Sequence, residues 1–200
     1  MKTIIVDMMG GDNAPLETVK GVGRAIKELD PEVNYILVGD QVEIERIARE
    51  NEIVLDRCDI VHTETVITME DDPIAVVRGK ETSSMSLGLK LLKEGRGDAF
   101  VSTGNTGALF TGANLIVRKV KGVKRPAIAS LLPLQPPVLL ADSGANVVVT
   151  PEYLEQFAIM GSAYMKNVMG VENPRVGSSL KGRGGCVQRI HHFCPMRKAA

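Results

Sequence analysis

Tryptophan is absent from this chain of 200 residues, and all aromatic residues together make up only 4% of it. A core without that bulk has to come from Val, Ile, Leu and Met. With 20 glycines, such a composition suits a buried parallel sheet with tight turns at its strand ends. Cysteine is also scarce. Cys58, Cys186 and Cys194 are too few and too irregularly spaced for a disulfide framework, and Cys58 reads as a small core residue. No apolar run nears the roughly 18 residues that cross a bilayer, and the chain runs directly into a strand-like IIVD without a basic n-region, so a cytoplasmic location is expected. Acidic residues stop at Glu172. Up to position 177 there are 19 basic and 24 acidic residues, whereas the last 23 positions hold five basic residues and no acid. The net charge of zero therefore joins two unlike pieces, and an acidic body argues against a nucleic-acid partner.

What is present is an alternation of apolar runs and helical spacing, the order of βαβ units with a mostly parallel sheet covered on both faces. The expected strands are 3–6, 35–38, 60–62, 99–102, 127–131 and 138–141, and the expected helices 16–29, 42–51, 85–94, 106–118 and 152–169. Helix starts are marked by Pro15, by Asn105 as a cap, and by Thr150 followed by Pro151 and Glu152. The length suits one α/β domain over residues 1–177. At Pro174 to Gly177 the chain reads as if entering another buried strand. Beyond it, 178–200 loses hydrophobic periodicity and is expected to be a basic tail without structure.

In open α/β sheets ligands sit at the carboxyl ends of the strands, and these ends are Gly-rich here. The first strand runs into Asp7, two methionines, Gly10, Gly11, Asp12 and Asn13 just before a helix, an arrangement that presents amides to an anion. It matches neither the ATP P-loop nor the dinucleotide fingerprint. Ser102, Thr103, Gly104, Asn105, Thr106 and Gly107 repeat the pattern after another strand, and Asp142, Ser143, Gly144, Ala145 and Asn146 after a third. A fourth loop brings Arg78, Lys80 and the hydroxyls of Ser83, Ser84 and Ser86 ahead of a helix, a cationic and hydroxyl-rich setting for a dianion. Asp71 and Asp72 are adjacent, so in a strand they face opposite ways and form no paired acid.

Side-chain nucleophiles are missing. Residues 1–177 hold one Cys and one His, and no G-x-S-x-G or Cys-His pattern. His62 reads as a satisfied edge residue. If phosphate itself is the nucleophile, the shortage is explained: at neutral pH a large share of it is already the dianion, which needs no strong protein base. The protein then has only to position the dianion and stabilise an oxyanion. Neither a cofactor nor a metal is expected. In the tail, Cys186, His191, His192 and Cys194 match no standard zinc spacing.

The strings VDMMGGDNAP at 6–15, DDPIAVVRGKETSSM at 71–85, STGNTGALF at 102–110, KRPAIAS at 124–130 and ADSGANVVVTPEYLEQFAIMG at 141–161 resemble, in order, the signatures of the PlsX family of phosphate acyltransferases. The resemblance implies a three-layer α/β/α fold related to the isopropylmalate dehydrogenase and phosphotransacetylase type, incomplete at the C-terminus. It implies transfer of an acyl group from acyl carrier protein to inorganic phosphate, and use of the acyl phosphate by a membrane glycerol-3-phosphate acyltransferase. A homodimer peripherally associated with the membrane is implied as well. By the same resemblance, Asn105, Lys80 and Asn146 take catalytic roles, and Gly10, Gly11, Asp12, Asn13, Arg78, Gly104, Thr106 and Gly144 hold substrate or phosphate.

Met8 stands where the family usually has alanine, and Ser143 where an apolar residue is common. After Gly177 the family pattern is lost altogether. A change of reading frame or an aberrant terminus is expected to account for that loss, with a genuine short variant as the alternative; under a frame change, the other frame of the coding DNA from about codon 177 should restore an apolar strand and acidic helices. The competing reading is a non-catalytic ligand-binding or interaction fragment of the same fold. A dehydrogenase of related fold is disfavoured by the missing nucleotide fingerprint.

Overall fold

A computed structural model describes residues 2–146, 148–179 and 190–195. The chain divides into two compact units, Met1–Arg118 and Lys119–Ala200, where the sequence suggests one body up to position 177.

The first unit contains β1 (Lys2–Asp7), α1 (Leu16–Glu28), β2 (Val33–Gly39), α2 (Gln41–Glu50), β3 (Cys58–His62), α3 (Ser84–Lys93), β4 (Ala99–Val101) and α4 (Thr106–Gly112). A 3₁₀ turn, Pro73–Val76, precedes α3, and a π-helical segment, Ala113–Val117, continues α4. The strands form one wholly parallel sheet in the order β3-β2-β1-β4. Alternation along the strands sorts side chains between two helical layers. Tyr35 and Leu37 pack with Val19 and Val22 of α1 and with Ile44 and Ile47 of α2 on one face. Ile5, Ile36 and Val38 pack with Leu91 of α3 on the other. The three-layer α/β/α arrangement follows directly from this alternation. Met8 is fully buried in the α1–α2 layer, so the larger side chain is absorbed by the core.

The second unit contains β5 (Ala129–Leu132), β6 (Val138–Ala141), α5 (Pro151–Asn167), β7 (Pro174–Ser179) and β8 (Ile190–Pro195). Its sheet, ordered β5-β6-β8-β7, is antiparallel throughout, which departs from the parallel expectation for this stretch. The cause is the connection: residues 133–137 close a hairpin, and a parallel crossover needs a dozen residues or more. The strand at 174–177 is present, but Val176 is 46% exposed rather than buried. Leu139, Ala141 and Met165 form the core here. β8 falls inside the segment expected to lack structure, whereas 180–189 and 196–200, with Cys186, lie outside the described residues.

Helix starts are placed as their local chemistry dictates. The Asn105 side chain accepts from the Ala108 amide, and Thr150 accepts from Tyr153 with Pro151 opening α5. α1 is the exception: Pro15 is itself its N-cap, and no side chain caps that end.

Candidate functional site

The carboxyl ends of β1 and β4 are neighbours because the strands pair in parallel, Ile4 opposite Ala99 and Val6 opposite Val101. Their two Gly-rich loops are therefore knitted together. Asp7, 2% exposed, accepts the Ser102 hydroxyl at 2.7 Å and the Met9 amide at 3.2 Å. Ser102 Oγ in turn accepts the Gly104 amide at 3.1 Å, and the Thr103 hydroxyl donates to the Gly10 carbonyl at 2.8 Å. Gly10 is the pivot of this network. A Cβ there would lie 2.7 Å from Asp7 Oδ2, 2.9 Å from the Gly104 nitrogen and 2.9 Å from Ser102 Oγ. At Gly11 a φ of +111° demands glycine. The turn places Asp12 and Asn13 in solvent at the open start of α1, where a helix terminus favours negative charge.

Two of the expected catalytic side chains lie in a second cluster built around loop 66–72. The Lys80 ammonium donates to Asp71 Oδ2 at 2.6 Å and to the Val66 carbonyl at 2.8 Å. Asn105 is 7% exposed, and its amide nitrogen donates to the carbonyls of Thr68 at 3.1 Å, Asp71 at 3.3 Å and Met69 at 3.4 Å. With its oxygen capping α4 and its nitrogen on these carbonyls, Asn105 ties the start of α4 to loop 66–72. Arg78, in contrast, is exposed, and its guanidinium has no ion pair among the described residues. Thr106 is exposed at the first position of α4. The serine run forms a helix start: Ser83 Oγ accepts the Ser86 amide at 3.3 Å, and Thr63 Oγ1 reaches the Thr82 carbonyl at 2.6 Å.

Electrostatics follow these contacts. The Lys80 hydrogen bond, then the Thr68 amide, hold the Asp71 carboxyl below the usual carboxylate range. Because the folded pKa is depressed, the contribution of this pair to loop order is complete above the unfolded value, about 4, and is lost as pH falls through the folded value. The Thr68 amide resonance should accordingly titrate below pH 4 in an NMR pH series; a midpoint at or above that value contradicts the assignment. The Glu81 carboxyl is lowered too, by its own amide and that of Gly79. Burial pushes the Cys58 thiol up to about 11, as fits a packing residue and not a nucleophile. His62 Nδ1 accepts the Gln41 amide at 3.2 Å, which ties the ring to the start of α2 at the sheet edge.

The third loop belongs to the second unit. Asp142, 6% exposed, collects the amides of Ile128 at 2.9 Å and Ala145 at 3.2 Å on one oxygen. Its other oxygen takes the Asn146 amide at 2.7 Å and the Asn146 side chain at 2.9 Å. The same Asn146 nitrogen donates to the Pro126 carbonyl at 3.0 Å, so both of its protons are used. Gly144 is exposed with φ +125°. Among the described residues, no group of three His, Cys, Asp or Glu is placed to hold a metal ion, and no helix is long and apolar enough to cross a membrane.

Asp7, Ser102, Thr103, Asp71 and Asp142 organise these loops, and sequence reasoning assigned a site role to none of them. The bonds of Ser102 to Asp7 and of Thr103 to Gly10 span 95 and 93 residues, a separation for which a single sequence carries no signal, whereas Asp71 and Asp142 have partners three and four residues away that turn chemistry could have suggested.

The chain matches a family model described as "Fatty acid synthesis protein" over residues 2–185. It is 46% identical over 175 residues to the phosphate acyltransferase of Acetivibrio thermocellus, covering 87% of this chain and 51% of that protein. The phosphate acyltransferase of Clostridioides difficile is 42% identical over 181 residues, covering 90% and 53%. That of Streptococcus agalactiae serotype Ia is 45% identical over 179 residues, covering 88% and 53%. The chain thus spans about half the length of the curated relatives it matches. A family match over nearly the whole chain, carried by a parallel sheet with Gly-rich strand ends, makes this chain a member of the fatty acid synthesis protein family, in which these phosphate acyltransferases are its relatives.

Proposed function

We propose that the protein works as a phosphate acyltransferase, moving a fatty acyl group from the thioester of acyl carrier protein to inorganic phosphate. In this reaction a phosphate oxygen attacks the thioester carbonyl, the C–S bond breaks, and the thiolate leaves to be protonated by solvent. Acyl phosphate is the product, a substrate for the membrane glycerol-3-phosphate acyltransferase. The observation that carries the reading is the match to phosphate acyltransferases across 87% of the chain. The chemistry of the strand ends is compatible with it. A dianionic phosphate needs no protein base, and the turn at Gly10 and Gly11 has been folded tightly enough to bring backbone and the α1 terminus to one place. In the first unit Asp12, Asn13, Arg78, Thr106 and the third ammonium proton of Lys80, two being donated to Asp71 and Val66, have capacity for a ligand, and in the second unit the amide of Gly144 does. Asn105 and Asn146 act one step back, by fixing the loops that carry them. A cytoplasmic homodimer in contact with the membrane surface completes the proposal.

The test supplies purified protein with acyl carrier protein thioester and phosphate, and traps acyl phosphate as its hydroxamate. Phosphate-dependent hydroxamate is expected. A second reading, a non-catalytic binding fragment, is favoured by the chain's spanning about half of its relatives' length. A cooperatively melting protein that gives no hydroxamate, beside an active relative, selects that second reading.

A further inference from the structure

One segment of the chain is electrostatically unlike the rest. Positions 99–141 hold no acidic residue, and their five basic residues, Arg118, Lys119, Lys121, Lys124 and Arg125, all fall within eight consecutive positions. Of the 19 basic residues up to position 177, these five leave 14 against 24 acidic ones. A compact cationic feature thus belongs to an otherwise acidic chain, and such a feature draws and orients an anionic partner.

In the second unit residues 119–125 form a braced turn. The Val123 amide donates to the Val120 carbonyl at 3.1 Å, and Gly122 has φ +95°, the left-handed third position of a type II turn. Helix α5 braces it: Gln156 accepts the Lys124 amide at 2.8 Å and donates to the Gly122 carbonyl at 3.1 Å, and Glu152 pairs with the Lys124 ammonium at 2.6 Å. The Lys119 ammonium closes over the turn onto the Lys124 carbonyl at 3.0 Å. Lys121 and Arg125 are exposed and have no ion pair among the described residues. Val120, next to Lys121, is 78% exposed.

We propose that this turn is a docking surface for a protein with an acidic face, and that the protein is the acyl carrier protein of the reaction proposed above. The choice of partner rests on that reaction, whereas the surface does not. A turn already fixed by α5 presents two free cations and a valine in one geometry, so little ordering is lost on contact. Charge pairs of this kind speed encounter and set orientation more than they add affinity. That suits a carrier that must dock, hand over its acyl group and leave in each turnover. An anionic membrane is the poorer fit. One valine on a turn offers no apolar helix face to bury, and a few basic residues without such a face give only weak, salt-sensitive attachment.

The experiment measures binding of the full chain to unacylated holo-acyl carrier protein by surface plasmon resonance, at low and at physiological salt. Saturable binding is expected, and Lys121→Glu combined with Arg125→Glu should weaken it by about tenfold or more. Val120→Ser should weaken it by about threefold. Salt should weaken the parent more than the charge-reversed variant. Lys27→Glu combined with Lys93→Glu changes the net charge equally at exposed positions of α1 and α3; it should leave the affinity within about twofold, distant exposed charges being screened. All substituted side chains are exposed, so thermal transitions should stay close to that of the parent. Equal weakening by the two charge-reversed pairs assigns binding to net charge and overturns the proposal. So does an affinity indifferent to Lys121 and Arg125, an absence of carrier binding by the folded parent, or loss of binding to phosphatidylglycerol vesicles in the Lys121–Arg125 variant with carrier binding intact. Unacylated carrier undergoes no transfer, which separates this test from that of the reaction. A chain that forms hydroxamate but binds carrier without regard to the turn refutes the docking surface alone; one that binds through the turn but forms no hydroxamate refutes the reaction alone.

Discussion

Gly10→Val is expected to lower the melting temperature of the protein by roughly 10 °C, the equivalent of about 3 kcal/mol in a unit of this size. The first added atom already meets Asp7 Oδ2 at 2.7 Å and both the Gly104 nitrogen and Ser102 Oγ at 2.9 Å. None of the three can retreat alone, since Ser102 bridges the other two. Accommodating valine therefore combines overpacking, at about 1–3 kcal/mol, with loss of a hydrogen bond to a buried carboxylate, at about 1.5–3 kcal/mol. Gly10→Ala should show the same defect in milder form. Combining Gly10→Ala with Ser102→Ala removes one of the colliding atoms, and a double-mutant cycle should show positive coupling between the sites. Asn13→Ala, exposed on the same turn, should change stability by no more than about 0.5 kcal/mol. Thermal melts at neutral pH decide the matter, and a Gly10→Val protein as stable as its parent would show that the two loops are not knitted as described.

That network illustrates which parts of the molecule a single sequence exposes. The strands of the first unit were readable because each is an apolar run bounded by polar turns, and β1 differs from its expected span only by Lys2 and Asp7 at the ends. The Asn105 and Thr150 caps were readable because the group each one caps is three residues away. Lys80 and Asp71 are nine residues apart, Asn105 and its carbonyls 34 to 37, Ser102 and Asp7 95. Pairings at such separations are set by strand order, which periodicity does not encode. The sequence thus offers Lys80 and Asn105 as ligand donors but does not show the hydrogen bonds by which they also hold loop 66–72. The antiparallel sheet was in principle legible. The short, proline-bearing stretch at 133–137 is incompatible with a crossover, but the α/β alternation of the preceding residues set the expectation for the rest.

Asp142→Ala should have the larger consequence in the second unit, about 3–5 kcal/mol of destabilisation. The carboxylate is 6% exposed and is the acceptor for four donated hydrogen bonds, from the amides of Ile128, Ala145 and Asn146 and from the Asn146 side chain. Alanine leaves all of these donors without it. Each bond to a charged acceptor contributes about 1.5–3 kcal/mol, but water reaching the partly buried donors offsets some of the loss, so the sum falls short of four full terms. Asp142→Asn separates charge from shape. The amide retains one acceptor oxygen, so it can satisfy either the Ile128 and Ala145 pair or the Asn146 pair, and its NH₂ group confronts the donors on the other side. An intermediate loss is expected, with faster amide exchange confined to one of the two pairs. Asn146→Ala removes only the side-chain bonds to Asp142 and Pro126 and should cost about 1 kcal/mol. Denaturant melts with exchange read at Ile128, Ala145 and Asn146 test this order. If Asp142→Ala were no worse than Asn146→Ala, the carboxylate would not be the centre of the loop, and the proposed placement of Gly144 beside a ligand would lose its physical basis.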